Sequence, residues 1–137
     1  MTFEDRIRAS FARQAMMATL GAQIDSVAQG AVTISVPLLP ATSQQQGLAH
    51  GGLSFSIGDS AAGYSALSLL PLDREVVTSE MAIHYLAPGR GDRLMAKGHV
   101  IKPGRRQLIV GADVYAIEDG SKIHVATLRG TMVTVPA

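Results

Sequence analysis

Asp59 stands near the middle of the most apolar long window of the chain, Gly51 to Leu70, and no Lys or Arg inside that window can pair with it. An unpaired carboxylate is costly to bury. Asp59 therefore either faces water in a cleft, where it is available as a base or nucleophile, or is satisfied by a nearby hydroxyl such as Ser56 or Ser60, or is exposed at an interface. On a helix, its neighbours at three, four and seven positions are Gly52, Phe55, Ser56, Ala62, Gly63 and Ala66, nearly all small, so the carboxylate borders a shallow groove. The same window opens with His50-Gly51-Gly52. Glycines at a helix start leave backbone N–H groups uncovered, and the positive end of the helix dipole adds to their pull on an oxygen. The plainer alternative is that the glycines only permit a tight turn into the helix, with His50 packed beside it.

The two features complement each other. Attack on a carbonyl carbon needs donors for the developing oxyanion and a base or nucleophile on the other side of the carbon. Eight residues of helix, however, separate Gly51 from Asp59 by about 12 Å of axial rise, too far for one reacting carbon to touch both. Antiparallel pairing of two copies of the helix would bring Gly51 of one subunit beside Asp59 of the other. The spacing thus predicts an obligate dimer with two shared sites.

Other chemistries fit less well. Gly58-Asp59-Ser60 has the composition of a serine-hydrolase nucleophile block, but it lies in mid-helix rather than at a strand-to-helix elbow. His50, His84, His99 and His124 are widely spaced, with no i, i+4 pair and no Cys, so no metal site is expected. Arg90-Gly91-Asp92 reads as an ordinary turn.

Several elements must position these groups. Thr2 with Asp5 forms a capping-box pattern ahead of Phe3, Ile7 and Phe11, which predicts a short amphipathic helix. Ala22 to Ala28 and the alternating Val32, Ile34 and Val36 predict a hairpin-like pair of strands around Gly30. Pro40 to Gly47 has loop composition. The apolar window, twenty residues long, predicts a helix of about 30 Å closed by Pro71; it is apolar or small on every side and so should be surrounded. Four strands follow, Val76 to Leu86, Arg93 to Ile101, Gln107 to Ile117 and Ile123 to Val135. Pro88-Gly89-Arg90-Gly91, Lys102-Pro103-Gly104 and Glu118-Asp119-Gly120-Ser121 separate them. Short turns between consecutive strands predict an antiparallel meander. The result is one α+β domain over residues 1–137, its sheet curling round the central helix.

Composition narrows the function classes. The 137 residues carry a net charge of +1, 17% charged and 47% hydrophobic residues, no Cys, no Trp, three Tyr and three Phe. There is no basic surplus for a phosphate backbone and little aromatic surface for base stacking, so no nucleic-acid partner is expected. Absence of Cys removes disulfides, thiolate metal sites and cysteine nucleophiles. Acids rather than bases at the N-terminus argue against a signal peptide, and Asp59 with its many Gly and Ser neighbours argues against a membrane span, which makes the cytoplasm the expected compartment.

The order Gln44-x-x-Gly47-x-x-His50-Gly51-Gly52, then Asp59, then Thr78 leading into Ile83-His84-Tyr85-Leu86-Ala87-Pro88, resembles the hotdog-fold acyl-CoA thioesterases of the PaaI-like, phenylacetate-degradation group. The likeness runs over most of the chain. It implies a hotdog fold, a long central helix wrapped by a curved antiparallel sheet, in homodimers that often pair again into tetramers. It further implies that Asp59 is general base or nucleophile toward an acyl-thioester, and that Gly51 offers its N–H to the thioester oxygen from the partner subunit. By the same resemblance Thr78 helps place water, and His50 supports the loop. Where relatives commonly have Asn this chain has Gln44, whose longer side chain moves the amide that polarises the substrate carbonyl.

The expected reaction is hydrolysis of an acyl-CoA to a carboxylic acid and free CoA, with no metal or cofactor beyond the CoA of the substrate. Gly52 is expected beside the substrate, and Arg90, Lys102, Arg105 and Arg106, all in turns, could meet the CoA phosphates. Phe55, Tyr64 and Leu67 line the pocket or belong to the core. A rival from another class is a non-catalytic acyl-CoA-binding module on the same fold, which would have no need of Asp59.

Overall fold

A computed structural model describes residues 1–137. The chain runs α1 (Phe3–Arg13), α2 (Ala15–Leu20), β1 (Gln23–Ala28), β2 (Ala31–Pro37), a 3-10 turn (Pro40–Thr42), α3 (Gly51–Leu67), β3 (Arg74–Tyr85), β4 (Arg93–Lys102), β5 (Gln107–Glu118) and β6 (Ser121–Pro136). The capping box of α1 is formed, Thr2 and Asp5 each accepting the other's backbone N–H at 3.1 Å. Between β5 and β6, Asp119 and Gly120 both take positive φ, +49° and +79°. That is the geometry a two-residue hairpin turn needs and the reason Asp-Gly occurs there.

The six strands form one antiparallel sheet in the order β1-β2-β4-β5-β6-β3. The expected meander holds only for β4, β5 and β6. β3 crosses to the far edge and pairs with β6, Val77 opposite Val133 and Ile83 opposite Leu128. Both edges of β4 are already taken by β2 and β5. The crossing is short enough: three strand spacings are about 14 Å, and residues 86–92 can span about 23 Å.

α3 lies along the concave face with Ile57, Ala61, Ala62, Ala66 and Leu67 buried against Val32, Ile34, Leu94, Ala96, Val110 and Val114. It is shorter than the sequence window. Helical pairing stops at Leu67, and Ser68 to Leu70 turn toward Pro71. The serines that diluted the window have structural uses there. Ser65 Oγ accepts the Val32 N–H at 3.0 Å and Ser68 Oγ accepts that of Gly30 at 2.7 Å, tying the helix end to the start of β2. A second short helix, α2, too short to show a periodicity in the sequence, ends at Gly21 with φ +74°. No helix is long and apolar enough to cross a membrane.

One close approach sets the distance between α3 and the sheet. A Cβ on Gly98 of β4 would overlap the backbone carbonyl of Ala61 and the nitrogen of Ala62. Backbone cannot move aside as a side-chain tip can. Gly98→Ala is therefore expected to cost about 3 kcal/mol in urea unfolding. Gly120→Ala, with open space but a positive φ, should cost only about 1 kcal/mol. An unchanged unfolding midpoint for Gly98→Ala would contradict this packing.

Candidate active site

Asp59 is half-buried on the α3 face turned away from β4. Neither of the nearby serines satisfies it. Ser56 Oγ donates to the Gly52 carbonyl at 2.8 Å, and Ser60 Oγ donates to Gln14 Oε1 at 3.0 Å. The partner comes from β3, where Thr78 Oγ1 donates to Asp59 Oδ1 at 2.8 Å. A β-bulge between Thr78 and Glu80 interrupts the register with β6 directly beside that contact. Burial pushes the Asp59 carboxyl above its ordinary pKa, and the Thr78 bond pulls in the opposite direction without cancelling the rise. Asp59 and Thr78 open onto a cleft of about 230 Å³, with Ser10, Gln14 and Ser60 on one side and Val76 and Met132 on another. Tyr64 and Leu67 are core residues that also line this cleft; Phe55 is half-buried and does not.

Gln44, His50, Gly51 and Gly52 gather around a second cleft, of about 580 Å³, with Tyr85 to Gly89 on its opposite wall. His50 caps α3: its Nδ1 accepts the Gly52 N–H at 2.8 Å. This corrects the expectation that both glycine N–H groups are free. Gly52 is committed to the cap, and Gly51, which has no acceptor within the chain, holds the open donor. Tyr85 Oη donates to the Gly51 carbonyl at 2.8 Å, fixing the peptide from the other side, and a Cβ on Gly51 would stand 2.8 Å from that hydroxyl. Gln44 turns its Oε1 toward the N–H groups of Gln46 and Leu48, so its carboxamide braces its own loop.

The clefts do not share a lining residue, so one protomer keeps Asp59 and Thr78 apart from Gly51 and His50, as the helix arithmetic requires. The proposed cation cluster also divides. Arg90 faces the Gln44–Gln46 loop. Lys102, expected in a turn, is instead the last residue of β4, and Arg105 and Arg106 lie beyond it, about 30 Å from the Arg93 end of that ten-residue strand. The remaining histidines sit on strands, and His124 is bonded to Asp113 at 3.0 Å and stacked on Tyr115.

Sequence reasoning missed Tyr85 and Gln14. Tyr85 lay inside the motif, but nothing in its spacing showed that it reaches back 34 residues to Gly51. Gln14 meets Ser60 across 46 residues and carried no local signal.

A long helix on a curved six-stranded antiparallel sheet is the hotdog fold. The family model of the thioesterase superfamily matches residues 46–123, which contain the His50 cap, Asp59 and Thr78. The chain belongs to that superfamily. A solved thioesterase family protein from Silicibacter pomeroyi is 38% identical, superposes with a TM-score of 0.96, and is matched over 98% of this chain and 99% of that one. The PaaI protein of the phenylacetic acid degradation operon of E. coli, 24% identical over 97% of this chain and 93% of its own, shares the fold with a TM-score of 0.86. An esterase-named protein of Saccharolobus solfataricus is 33% identical over 87 residues, 64% of this chain but only 55% of that relative.

The raised Asp59 pKa has a consequence for stability. Between the ordinary value of 3.8 and the raised one, the folded chain binds more protons than the unfolded chain, so stability falls as pH rises through that window. Asp59→Asn removes this loss. It is expected to melt above the wild type at neutral pH, with the gap closing below pH 3.8. Thermal melts at the two pH values check it, and a gap that widens in acid would refute the burial argument.

Proposed function

We propose that the protein hydrolyses an acyl-CoA thioester to a carboxylic acid and free CoA, as a homodimer whose two sites each combine Asp59 and Thr78 of one subunit with Gly51 of the other. The observation that carries this reading is the half-buried Asp59 held by Thr78 at the mouth of a cleft, in a chain of the thioesterase superfamily. The separation of the two clefts supports the dimer. So does β3, whose outer edge pairs with no strand of its own chain and carries the exposed Val77 and Tyr85.

Antiparallel pairing of β3 with its copy turns the Gly51 end of one subunit toward the Lys102 end of the other. Arg90 and the partner subunit's Lys102, Arg105 and Arg106 then share one end of the dimer, where the phosphates of CoA would find them. A further pairing of dimers is compatible with this arrangement, and the compartment we propose is the cytoplasm.

Two routes use the same groups. In the first, Asp59 takes a proton from water placed by Thr78, and the hydroxide adds to the thioester carbon. The oxyanion rests on the Gly51 N–H, and collapse expels CoA thiolate, which recovers the proton. In the second, the Asp59 carboxylate attacks, CoA leaves as thiolate, and water cleaves the mixed anhydride to the acid and free Asp59. Water is the only co-reactant either route needs.

Free-thiol release from a panel of aryl- and fatty-acyl-CoAs tests the proposal. Asp59→Asn should remain folded and lose about 10³-fold in turnover. Wild-type protein that binds acyl-CoA but releases no thiol, with binding unchanged in Asp59→Ala, would make it a binding module instead.

The shared site has its own test. Gly51 is the first residue of α3, and His50 before it is extended at φ −63°, ψ 137°, so Gly51→Pro removes the N–H at a position that accepts proline. In a Tyr85→Phe background, which clears the hydroxyl, Gly51→Pro should cost about 10²-fold relative to Gly51→Ala. Mixing inactive Asp59→Asn and Gly51→Pro chains should restore about a quarter of wild-type activity through hybrid dimers. No restoration would place each site within one subunit.

Because Asp59 must be ionised, kcat/KM should rise with pH through its raised pKa. Thr78→Val, which deletes the bond that lowers that pKa, should move the acid limb to higher pH as well as slow turnover. A limb that stays in place would remove Thr78 from this role.

A further inference from the structure

Thr78 Oγ1 has one proton and two acceptors for it. Asp59 Oδ1 lies at 2.8 Å, and the thioether Sδ of Met132 lies at 3.4 Å. The fold fixes that sulfur in place. Met132 is 1% exposed and stands opposite Thr78 in the pairing of β3 with β6, and opposite Leu108 in the pairing of β6 with β5. Cross-strand partners put their side chains on the same face of a sheet, so the Met132 side chain meets the Thr78 hydroxyl under α3. Gly63 of α3 has no side chain there: a Cβ on it would stand 3.6 Å from Met132 Cε and 3.8 Å from Sδ, so the helix backbone lies directly over the thioether.

The reaction asks more of Thr78 than one bond supplies. While its proton points at Asp59 Oδ1, it occupies that oxygen and makes the carboxylate a weaker base. A hydroxyl turned away from Asp59 needs another acceptor, because a donor left unmet in a half-buried site is costly. A thioether accepts more weakly than a carboxylate, so the proton rests on the Asp59 side and can still turn to sulfur without being left unmet.

No other group on the cleft wall takes this part. Ser10, Gln14, Ser60 and Tyr64 are bonded among themselves. Glu75, the second carboxylate on the wall, has Arg6 Nη2 at 3.8 Å, and that buried guanidinium clasps the carbonyls of Leu70 and Pro71, each at 3.0 Å, and that of Arg74. Glu75 and Tyr64 are thus the titratable groups that share the cleft with Asp59, and neither bonds Thr78.

We propose that the Thr78 hydroxyl is a rotor between Asp59 and Met132, and that Met132 is a positioning residue whose thioether, by taking the Thr78 proton, frees Asp59 Oδ1 to act as base or nucleophile. The inference rests on the hydrolytic reading of the site.

The test follows the Asp59 carboxyl carbon by NMR through a pH titration, beside kcat and KM. Met132→Leu keeps the side-chain volume and removes the sulfur. With the Thr78 proton confined to Asp59 the carboxylate is better stabilised, so its titration midpoint and the acid limb of kcat/KM should both move down by about half a pH unit. The rotor is then locked, and kcat should fall about fivefold with KM within about twofold of wild type. Norleucine incorporated in place of methionine, which exchanges sulfur for methylene, should displace the midpoint in the same direction, with melting curves confirming that both proteins fold. In Thr78→Val, which has no hydroxyl to share, adding Met132→Leu should leave the midpoint where Thr78→Val alone puts it. A midpoint that stays in place or rises in Met132→Leu, an unchanged kcat, or the same downward displacement in the Thr78→Val background would overturn the proposal. If the displacement appears but no thioester releases thiol, hydrolysis fails as the function and the shared hydroxyl stands. Thiol release with an unmoved midpoint gives the reverse.

Discussion

The seat of α3 on β4 governs the rest of the molecule. With no side chain on Gly98, the backbone of Ala61 comes down onto the strand, and one residue before Asp59 a Cβ on Gly58 would lie 2.8 Å from the Leu128 methyl groups of β6. Pinned at both points, the helix can neither roll nor slide without overlap. Asp59 is two residues from Ala61, hence about 200° round the helix axis. The contact that buries Ala61 is therefore also what turns the carboxylate away from the sheet centre and toward the edge strand.

The edge strand completes the arrangement with two hydroxyls. Tyr85 at one end of β3 holds the Gly51 peptide, and Thr78 in its middle meets Asp59. The carboxyl stays costly to ionise because burial outweighs that single bond. The raised pKa is thus a cost in stability, and it falls on a helix whose other contacts are dense and apolar. His50 shows the same division of labour: by capping Gly52 it leaves the neighbouring N–H as the open donor.

Much of this was legible in the chain, for identifiable reasons. Alternation in Val32, Ile34 and Val36, the Asp119-Gly120 turn and the Thr2–Asp5 box are local signals, and each element they mark is present. Asp59 could be singled out because a lone acid in an apolar window has few innocent explanations. The path of β3 was not legible, since Pro88-Gly89 fits a tight turn and a crossing loop equally well, and only the pairing of β2 with β4 excludes the former. The end of α3 is not legible because Ser68 to Leu70 match the composition of the helix they follow. Gln14, Tyr85 and the Arg6 clasp depend on contacts between residues 34 to 68 positions apart, which no periodicity encodes.

The crossing of β3 also orders events during synthesis. Thr78 faces Met132 across the sheet, and Met132 forms part of the wall of the Asp59 cleft. A growing chain exposes Asp59 and Thr78 to the solvent long before the strand that backs them has left the ribosome, and the delay is one of more than fifty residues of translation. Pairings of such sequence separation are slow to form. In the half-made protein the cleft accordingly lacks one wall, and the side that Met132 supplies is added only when the last strand docks.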